Sequence, residues 1–199
     1  RGPLFVQIMP TERCNLRCRY CYAEFGPRRR PDFPIAPLLR LVDGLSRLGA
    51  RVIMVAGGEP LLYPDLGRLV DRIVGHGIIC SVNTNGITLP ARIGEDAKAD
   101  MLSISLDGPK PLHDGYRGEG TYDKVRAASR LAREKGMRVQ IQFTLTRDLI
   151  EAFRHVDGRD DGHRQRILIV IAGERDAGVA GHEIVVAVEF EGLARRPVA

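Results

Sequence analysis

Three cysteines lie close together near the start of the chain, at Cys14, Cys18 and Cys21, in a C-x3-C-x2-C array. Three thiolates on one short loop can bind a metal centre without ligands from distant parts of the fold. A structural zinc or iron–sulfur site usually has four protein ligands, whereas a catalytic site keeps one coordination position open. The neighbouring sequence offers no obvious fourth ligand, so the array predicts an open metal site.

Other uses of these cysteines fit the sequence less well. A disulfide framework is typical of small secreted chains with paired cysteines, whereas this chain has three clustered cysteines and a lone Cys80. A structural zinc site would normally include a second cysteine or histidine pair, and the histidines show no such pairing. The spacing also differs from that of the ferredoxins. We therefore favour an iron–sulfur centre, and we interpret Cys80, inside an apolar strand, as a small core residue.

The array, with the aromatic Tyr20 directly before its last cysteine, resembles the signature of the radical S-adenosylmethionine (radical SAM) enzymes. In that family the three cysteines bind a [4Fe–4S] cluster, and the methionine moiety of S-adenosylmethionine chelates the fourth iron. The reduced cluster then cleaves the sulfonium and releases a 5′-deoxyadenosyl radical, which abstracts hydrogen from the substrate. The resemblance implies that the cofactors carry the chemistry, while the protein supplies ligands, orientation and shielding.

A glycine-rich segment follows the second predicted strand. Gly57–Pro60, which reads GGEP, resembles the family segment that binds the amino group of the methionine moiety. The resemblance implies that Gly57, Gly58 and Glu59 contact the cofactor. Taken by themselves, two glycines after a strand are typical of a tight turn, and a glutamate in this position favours the start of a helix.

A longer motif combines Ser105–Gly108 (SLDG) with His113–Gly118 (HDGYRG). It resembles the SLDG…HDxxRG segment of the SPASM/peptide-maturase and anaerobic sulfatase-maturase-like subgroup, which has relatives in quinone-cofactor and heme biosynthesis. The resemblance implies that Ser105 and Arg117 contact the carboxylate and ribose region of the cofactor, and an arginine fork suits a carboxylate. The alternatives are a surface salt bridge for Arg117 and a turn-stabilising role for Asp107.

Polar residues also lie at the ends of two other predicted strands. Asn83–Gly86 resembles the family's TNG strand end near the adenosine, and Asn85 is the candidate contact. An asparagine there equally caps a turn. Gln142 and Thr144 point to the same edge, where they either touch the adenosine or ribose or only face the interior of a barrel.

Strands and helices alternate along the first three quarters of the chain. This alternation predicts right-handed βαβ units and a parallel α/β sheet: a partial (βα)6 TIM-like barrel that is incomplete at its C-terminal end. Ligand sites in such sheets lie at the carboxyl ends of the strands, where all four motifs fall. The predicted strands are Leu4–Met9, Arg51–Ala56, Ile78–Val82, Met101–Leu106 and Arg138–Leu145, and the predicted helices are Pro37–Leu48, Asp65–His76, Pro90–Ala99 and Tyr122–Lys135.

The pattern degrades after residue 150. We divide the chain into a radical SAM core, residues 1–150, and a tail, residues 151–199. Within the tail only Ile167–Ala172 and Glu183–Phe190 have strand-like composition, and no cysteine follows Cys80 to bind an auxiliary cluster. Two interpretations of the tail stay open: a divergent segment whose apolar stretches complete the sheet, or an aberrant ending from truncation or a shifted reading frame.

Composition narrows the class and the compartment. The chain has 199 residues, of which 44% are hydrophobic and 28% charged, as expected for one globular core. It has no long apolar run and no signal-peptide pattern, so we expect a cytoplasmic protein that does not enter the membrane. The net charge of +5 is spread out apart from Arg28–Arg30, and without interleaved aromatic residues it does not predict nucleic-acid binding.

The sequence therefore predicts a radical SAM enzyme of the oxidoreductase or maturase type. The resemblance implies that its substrate is a peptide or protein side chain, or a small cofactor precursor, and that its reductant is a protein such as flavodoxin or ferredoxin. Two alternatives remain. One is a non-catalytic fragment that binds the cluster and S-adenosylmethionine but lacks the substrate-binding half. The other is an RNA- or nucleotide-modifying radical enzyme, which would require a basic binding surface, and only Arg28–Arg30 hints at one.

Overall fold

A computed structural model describes residues 2–21, 23, 25, 30–92, 98–154, 165–171 and 184–190. Arg28, Arg29 and the segment 157–164 lie outside these residues. The strands are β1 (Phe5–Ile8), β2 (Val52–Val55), β3 (Ile79–Thr84), β4 (Met101–Ser105), β5 (Val139–Thr144), β6 (Gln165–Ile171) and β7 (Ile184–Phe190). The helices are α1 (Ile35–Arg47), α2 (Leu66–Gly75), α3 (Leu89–Arg92), α4 (Lys110–Arg117), α5 (Thr121–Glu134) and α6 (Arg147–Arg154), and a short 3-10 helix spans Pro60–Leu62.

The sheet confirms the predicted α/β architecture. Strands β1 to β5 lie side by side in chain order and are all parallel, as in a partial TIM-like barrel. Strand β7 pairs with β5 in the antiparallel direction, and β6 pairs with the outer side of β7. Strand β6, which follows the α6 crossover, therefore runs in the same direction as β1 to β5. Strand β7 lies between β5 and β6.

One face of the sheet packs against the helices. Helix α1 buries Leu38, Val42 and Leu45, and α5 buries Val125, Ala128 and Ala132, at the three- and four-residue spacing of a helix face. They cover alternate strand residues, which are Ile53, Val55, Cys80, Val82, Leu102 and Ile104. None of the described helices has both the length and the apolar character needed to cross a membrane.

The opposite face of β3, β4 and β5 is polar. Because successive side chains alternate between faces, Ser81, Ser103 and Gln140 share this side of the sheet. The hydroxyl of Ser103 donates to Oε1 of Gln140 at 2.9 Å, and the hydroxyls of Ser81 and Ser103 lie 3.3 Å apart. The interior of the partial barrel is thus hydrogen-bonded and free of charge at these positions.

Two helices differ from the predictions. Helix α3 covers only Leu89–Arg92 of the predicted Pro90–Ala99, and residues 93–97 lie outside the described chain. Helix α4 was not predicted, because Lys110–Arg117 contains a glycine and few apolar residues to mark a helix face. Its first turn contains Pro111. Proline is well tolerated there because the N–H groups of the first turn have no acceptor within the helix.

Candidate cofactor site at the carboxyl ends of the strands

The loop that carries the three cysteines is joined to the loop that follows β2. The backbone N–H of Gly58 donates to the carbonyl of Thr11 at 3.1 Å, and that of Glu59 donates to the carbonyl of Arg13 at 2.7 Å. These bonds continue the pairing of β1 with β2 beyond the strands themselves. The cysteine loop therefore starts at the carboxyl edge of the sheet, where the sequence predicts the ligand site.

Gly57 and Gly58 have a structural reason to be glycine. Gly57 has a φ of +127°, and a Cβ built on it would lie 2.4 Å from the carbonyl oxygen of Thr11. A Cβ on Gly58 would lie 2.2 Å from the carbonyl oxygen of Arg13. The close approach that these glycines permit is to the chain's own cysteine loop, and their predicted contact with a cofactor remains a prediction.

Glu59 is fully buried and ties three segments together. Its Oε1 accepts hydrogen bonds from the N–H of Leu61 at 3.0 Å and from the hydroxyl of Thr84 at 2.8 Å. Its Oε2 accepts from the N–H of Asn85 at 2.8 Å. Burial raises the pKa of Glu59, and these three hydrogen bonds act in the opposite direction. The bond to Leu61 places Glu59 at the start of the 3-10 helix, so the expected helix-start role is present.

Asn85 joins the end of β3 to the cysteine loop. Its side-chain N–H donates to Oδ1 of Asn15 at 2.7 Å, and its own Oδ1 accepts from the N–H of Ile87 at 3.0 Å. The second bond is the turn cap that the sequence left open as an alternative. The first was not predicted, because Asn15 stands between two cysteines without a motif of its own.

The three cysteines are half-buried and form no disulfide. The N–H of Leu16 lies 3.5 Å from the sulfur of Cys14, and the N–H of Cys21 donates to the carbonyl of Cys18 at 3.0 Å. Burial raises the pKa values of Cys14 and Cys18. These thiols are therefore protonated at neutral pH in the metal-free chain, and metal binding would release their protons.

The donor set fits an iron–sulfur cluster. Within the described ranges, no three His, Cys, Asp or Glu side chains stand close enough together to hold a single metal ion. A cluster binds three thiolates through three different iron atoms, so its ligands need not meet that condition. Three free thiols on one loop, with no fourth protein thiol beside them, match the open coordination predicted from the sequence.

Asp107 and Arg117 form a buried ion pair. The Nε of Arg117 donates to Oδ2 of Asp107 at 2.5 Å, and Nη2 lies 3.5 Å from Oδ1. The two side chains are only 2% and 9% exposed, so the salt bridge that stood as the alternative for Arg117 is in the interior and not at the surface. Burial alone would lower the pKa of Arg117, but the Asp107 carboxylate raises it overall. The pair uses one edge of the guanidinium group and leaves Nη1 outside it.

Asp107 does more than stabilise a turn. Its Oδ1 accepts from the N–H of Thr144 at 3.1 Å, and its Oδ2 also accepts from the hydroxyl of Tyr20. Its own N–H donates to Nδ1 of His113 at 3.0 Å, which puts the ring hydrogen of His113 on Nε2. Asp107 thus connects the cysteine loop, the end of β5 and helix α4. Sequence reasoning missed this role, because its partners lie far apart along the chain.

Arg13 anchors the start of the cysteine loop and was also missed. Its Nε and Nη2 donate to the two oxygens of Asp32 at 3.0 and 2.5 Å, and Nη2 also donates to the carbonyl of Leu62. The hydroxyl of Thr11 donates to Asp32 at 2.6 Å. A bidentate arginine–carboxylate contact is geometrically specific, so it fixes where the loop leaves β1.

Ser105, Gln142 and Thr144 lie half-buried at the same edge of the sheet. Ser105 is in register with Gln142 across the β4–β5 pair. On the same face, Oδ1 of Asn83 is buried without a hydrogen-bond partner among the described residues. The structure therefore brings every predicted site residue to one edge, while their contacts with a cofactor remain predictions.

A model of the Radical SAM superfamily matches residues 8–154. The chain belongs to the radical SAM superfamily. This membership confirms the resemblance and the enzyme class expected from the sequence. S-adenosylmethionine and a [4Fe–4S] cluster are the cofactors of this superfamily.

Curated relatives cover most of this chain but a smaller part of themselves. The AdoMet-dependent heme synthase of Oleidesulfovibrio alaskensis is 30% identical over 73% of this chain and 39% of its own length. The mycofactocin maturase MftC of Mycobacterium tuberculosis is 31% identical over 73% of this chain and 39% of its own length. The chain thus spans well under half the length of these two relatives.

Solved structures show the same fold. SuiB of Streptococcus suis, bound to S-adenosylmethionine, superposes with a TM-score of 0.60 at 23% identity, over 70% of this chain and 33% of SuiB. The protein anSMEcpe, with AdoMet bound, superposes with a TM-score of 0.56 at 25% identity, over 70% of this chain and 44% of anSMEcpe. Both likenesses support a partial radical SAM barrel.

Proposed function

We propose that this radical SAM core binds a [4Fe–4S] cluster through Cys14, Cys18 and Cys21 and cleaves S-adenosylmethionine reductively. When bound and reduced, the cluster supplies the electron for that cleavage, which starts hydrogen abstraction from a substrate. The observation that carries the proposal is the attachment of a loop with three free thiols to the ends of β2, β3 and β4. Cofactor and cluster then meet at one edge of the sheet.

The chain's own residues bind and orient the cofactor in this proposal. Arg117 uses Nε and Nη2 for Asp107, and Nη1 is the group that we assign to the cofactor carboxylate. The other assigned contacts are Gly57, Gly58 and Glu59 for the amino group, Asn85 for the adenosine and Ser105 for the carboxylate and ribose region. The polar interior face around Ser103 and Gln140 supplies hydrogen-bonding groups without charge.

We propose a peptide or protein side chain, or a small cofactor precursor, as the substrate class. Relatives named as a mycofactocin maturase and as a heme synthase support both members of that class. A structure of SuiB bound to its precursor peptide SuiA supports the peptide. A flavodoxin- or ferredoxin-type protein as reductant and a cytoplasmic location complete the proposal.

Anaerobic reconstitution followed by electron paramagnetic resonance tests the proposal. The reduced protein should give a [4Fe–4S]⁺ signal whose shape changes when S-adenosylmethionine is added, because the cofactor occupies the open iron. Cys18→Ala should lose the cluster. Cys80→Ala removes a buried thiol outside the array and should keep it. A cluster signal whose shape does not change when S-adenosylmethionine is added would contradict the proposal. Full iron and sulfide content in Cys18→Ala would also contradict it.

A second candidate is a core that binds the cofactors without turning them over. It is favoured by the short span of the chain, which covers 39% of the length of each of two curated relatives. The formation of 5′-deoxyadenosine by the reduced, reconstituted protein separates the two candidates. Production of this nucleoside supports the enzyme, and cofactor binding without it supports the second candidate.

A further inference from the structure

Two side chains of the cysteine loop bind carboxylates outside it, in addition to the contacts of Asn15 and Arg19. The first is Arg13, directly before Cys14, which binds Asp32 through two hydrogen bonds. The second is Tyr20, which stands between Cys18 and Cys21 and donates its hydroxyl hydrogen to Asp107. The second contact therefore lies where it can help to fix the positions of the last two cysteines.

The partner of Tyr20 is itself fixed. Asp107 is 1% exposed, and its two oxygens accept hydrogen bonds from Arg117 at 2.5 Å and from the N–H of Thr144 at 3.1 Å. A carboxylate held in this way has little freedom to follow a moving loop. Hydrogen bonds to a charged acceptor are also about twice as strong as neutral ones. The bond from Tyr20 is therefore a firm attachment to the ends of β4 and β5.

The ring and the neighbouring backbone of Tyr20 are placed as well. The Tyr20 ring lies 5.4 Å from the ring of Tyr116, and the guanidinium of Arg117 lies 5.5 Å from its centre. The N–H of Arg19 donates to the carbonyl of Tyr116 at 3.0 Å. Helix α4 thus meets the loop through a ring contact, a cation–π contact and a backbone bond.

We propose that Tyr20 and Asp107 are positioning residues for the cluster: their hydrogen bond holds Cys18 and Cys21 where they can share one cluster with Cys14. Ordering the backbone of a loop costs conformational entropy, and the anchor orders part of this loop before the cluster binds. The proposal rests on the proposed function, because it requires a cluster on this loop. It assigns the Tyr20 hydroxyl a role separate from any contact with S-adenosylmethionine.

The matched variants are Tyr20→Phe and Tyr116→Phe. The first removes the hydroxyl that binds Asp107 and keeps the aromatic ring. The second also removes a tyrosine–aspartate hydrogen bond, to Asp148 at 2.6 Å, but that bond is exposed and does not involve Asp107. The measurement is the rate at which the reconstituted protein loses its cluster absorbance to an iron chelator, together with the thermal unfolding midpoint of the cluster-free protein.

Tyr20→Phe should lose its cluster about tenfold faster than the wild type, as expected for one charge-assisted hydrogen bond. Tyr116→Phe should stay within about twofold of the wild type, because exposed bonds contribute little. Without the cluster, Tyr20→Phe should have a somewhat lower unfolding midpoint because it loses a hydrogen bond to a buried carboxylate, but both variants should stay folded at the temperature of the assay. Equal rates in the two variants would overturn the proposal, as would unfolding of the cluster-free Tyr20→Phe protein at the temperature of the assay, which would indicate a general structural role.

Asp107→Asn provides a second check, because it keeps Oδ1 for Thr144 but replaces Oδ2, the acceptor of both Tyr20 and Arg117, with a donor. It should lose its cluster at least as fast as Tyr20→Phe, and adding Tyr20→Phe to it should cause no further acceleration. Independent, multiplicative effects of the two changes would contradict a shared anchor. A wild-type protein that takes up no cluster would contradict the proposed function itself and the anchor with it.

Discussion

The carboxylate of Glu59 accepts a hydrogen bond from the backbone N–H of Asn85, 2.8 Å away, and so joins the loop after β2 to the end of β3. The same side chain accepts from the hydroxyl of Thr84, the last residue of β3. A carboxylate suits this place because it only accepts hydrogen bonds, and every group that faces it donates one.

Glu59→Gln should therefore destabilise the protein by about 2 kcal/mol, since the amide N–H₂ would face an N–H or O–H donor in a buried site. Urea unfolding of the cluster-free protein measures this loss. The control is Glu134→Gln at the exposed end of α5, which should change the stability by less than about 0.5 kcal/mol. Equal stabilities of the two variants would show that Glu59 has no structural role.

Gly58→Ala and Gly44→Ala should have opposite effects on the stability of the protein. A Cβ on Gly58 would collide with the carbonyl of Arg13 at 2.2 Å, and moving that carbonyl would shift the cysteine loop. We expect the free energy of unfolding to fall by more than about 2 kcal/mol and the uptake of the cluster to be poor. Gly44 lies inside α1, where a Cβ meets only Arg47 at 3.8 Å, so alanine should stabilise the helix by about 0.5–1 kcal/mol. Thermal unfolding and iron content distinguish the two results.

The strands and helices of the fold could be predicted from the sequence because the patterns that indicate them are local. The β-branched run of β2 and the leucine spacing of α1 each lie within one short window, and parallel strands send their following loops to one edge. The convergence of the cysteine loop with Gly57–Pro60 and Asn85 followed from that topology alone. Family resemblance then supplied the chemistry.

The contacts that hold the site were not readable, because they join residues far apart in the chain. Tyr20 and Asp107 are 87 positions apart, and no local pattern predicts their bond. Arg117 was predicted to contact the cofactor or, as the alternative, to form a surface salt bridge, and its partner in the structure is Asp107 in the interior. Helix α4 was missed because helix propensity is weak in a segment that contains a proline and a glycine.

His113 should make the stability depend on pH. It is buried, and burial and Arg117 lower its pKa, while Asp107 and Asp114 act against them. Because the folded state binds a proton less readily than the unfolded state, the stability is fully present above the unfolded pKa of about 6.5 and declines below it. The decline is at most about 1.4 kcal/mol per pH unit.

His113→Asn tests this dependence, because its side-chain oxygen can accept the hydrogen bond from the N–H of Asp107 without titrating. Urea unfolding of both proteins between pH 7 and pH 5 should show a smaller loss in the variant than in the wild type, by an amount within the limit of about 1.4 kcal/mol per pH unit. Parallel pH profiles would assign the acid sensitivity to other groups.

Thiol labelling should count three reactive cysteines in the folded, cluster-free protein and four after unfolding. Cys14, Cys18 and Cys21 are half-buried, whereas Cys80 is fully buried and burial raises its pKa to about 12. Burial also raises the pKa values of Cys14 and Cys18, so these thiols should label slowly through their thiolate fraction, whereas Cys80 also lacks access to the reagent. Mass spectrometry after alkylation identifies the labelled positions. Early labelling of Cys80 would contradict the packing of β3.

The sequences of β3, β4 and β5 contain no charged residue, and the charged residues Glu59, Asp107 and Arg117 follow strands or end a helix. The part of the barrel floor that β3, β4 and β5 form is therefore electrostatically neutral, and selectivity for the charge of a ligand is located at its rim. A new ligand charge can be accommodated by exchanging rim loops while the sheet beneath stays as it is. The ligand specificity of such a protein can therefore change while its fold stays the same.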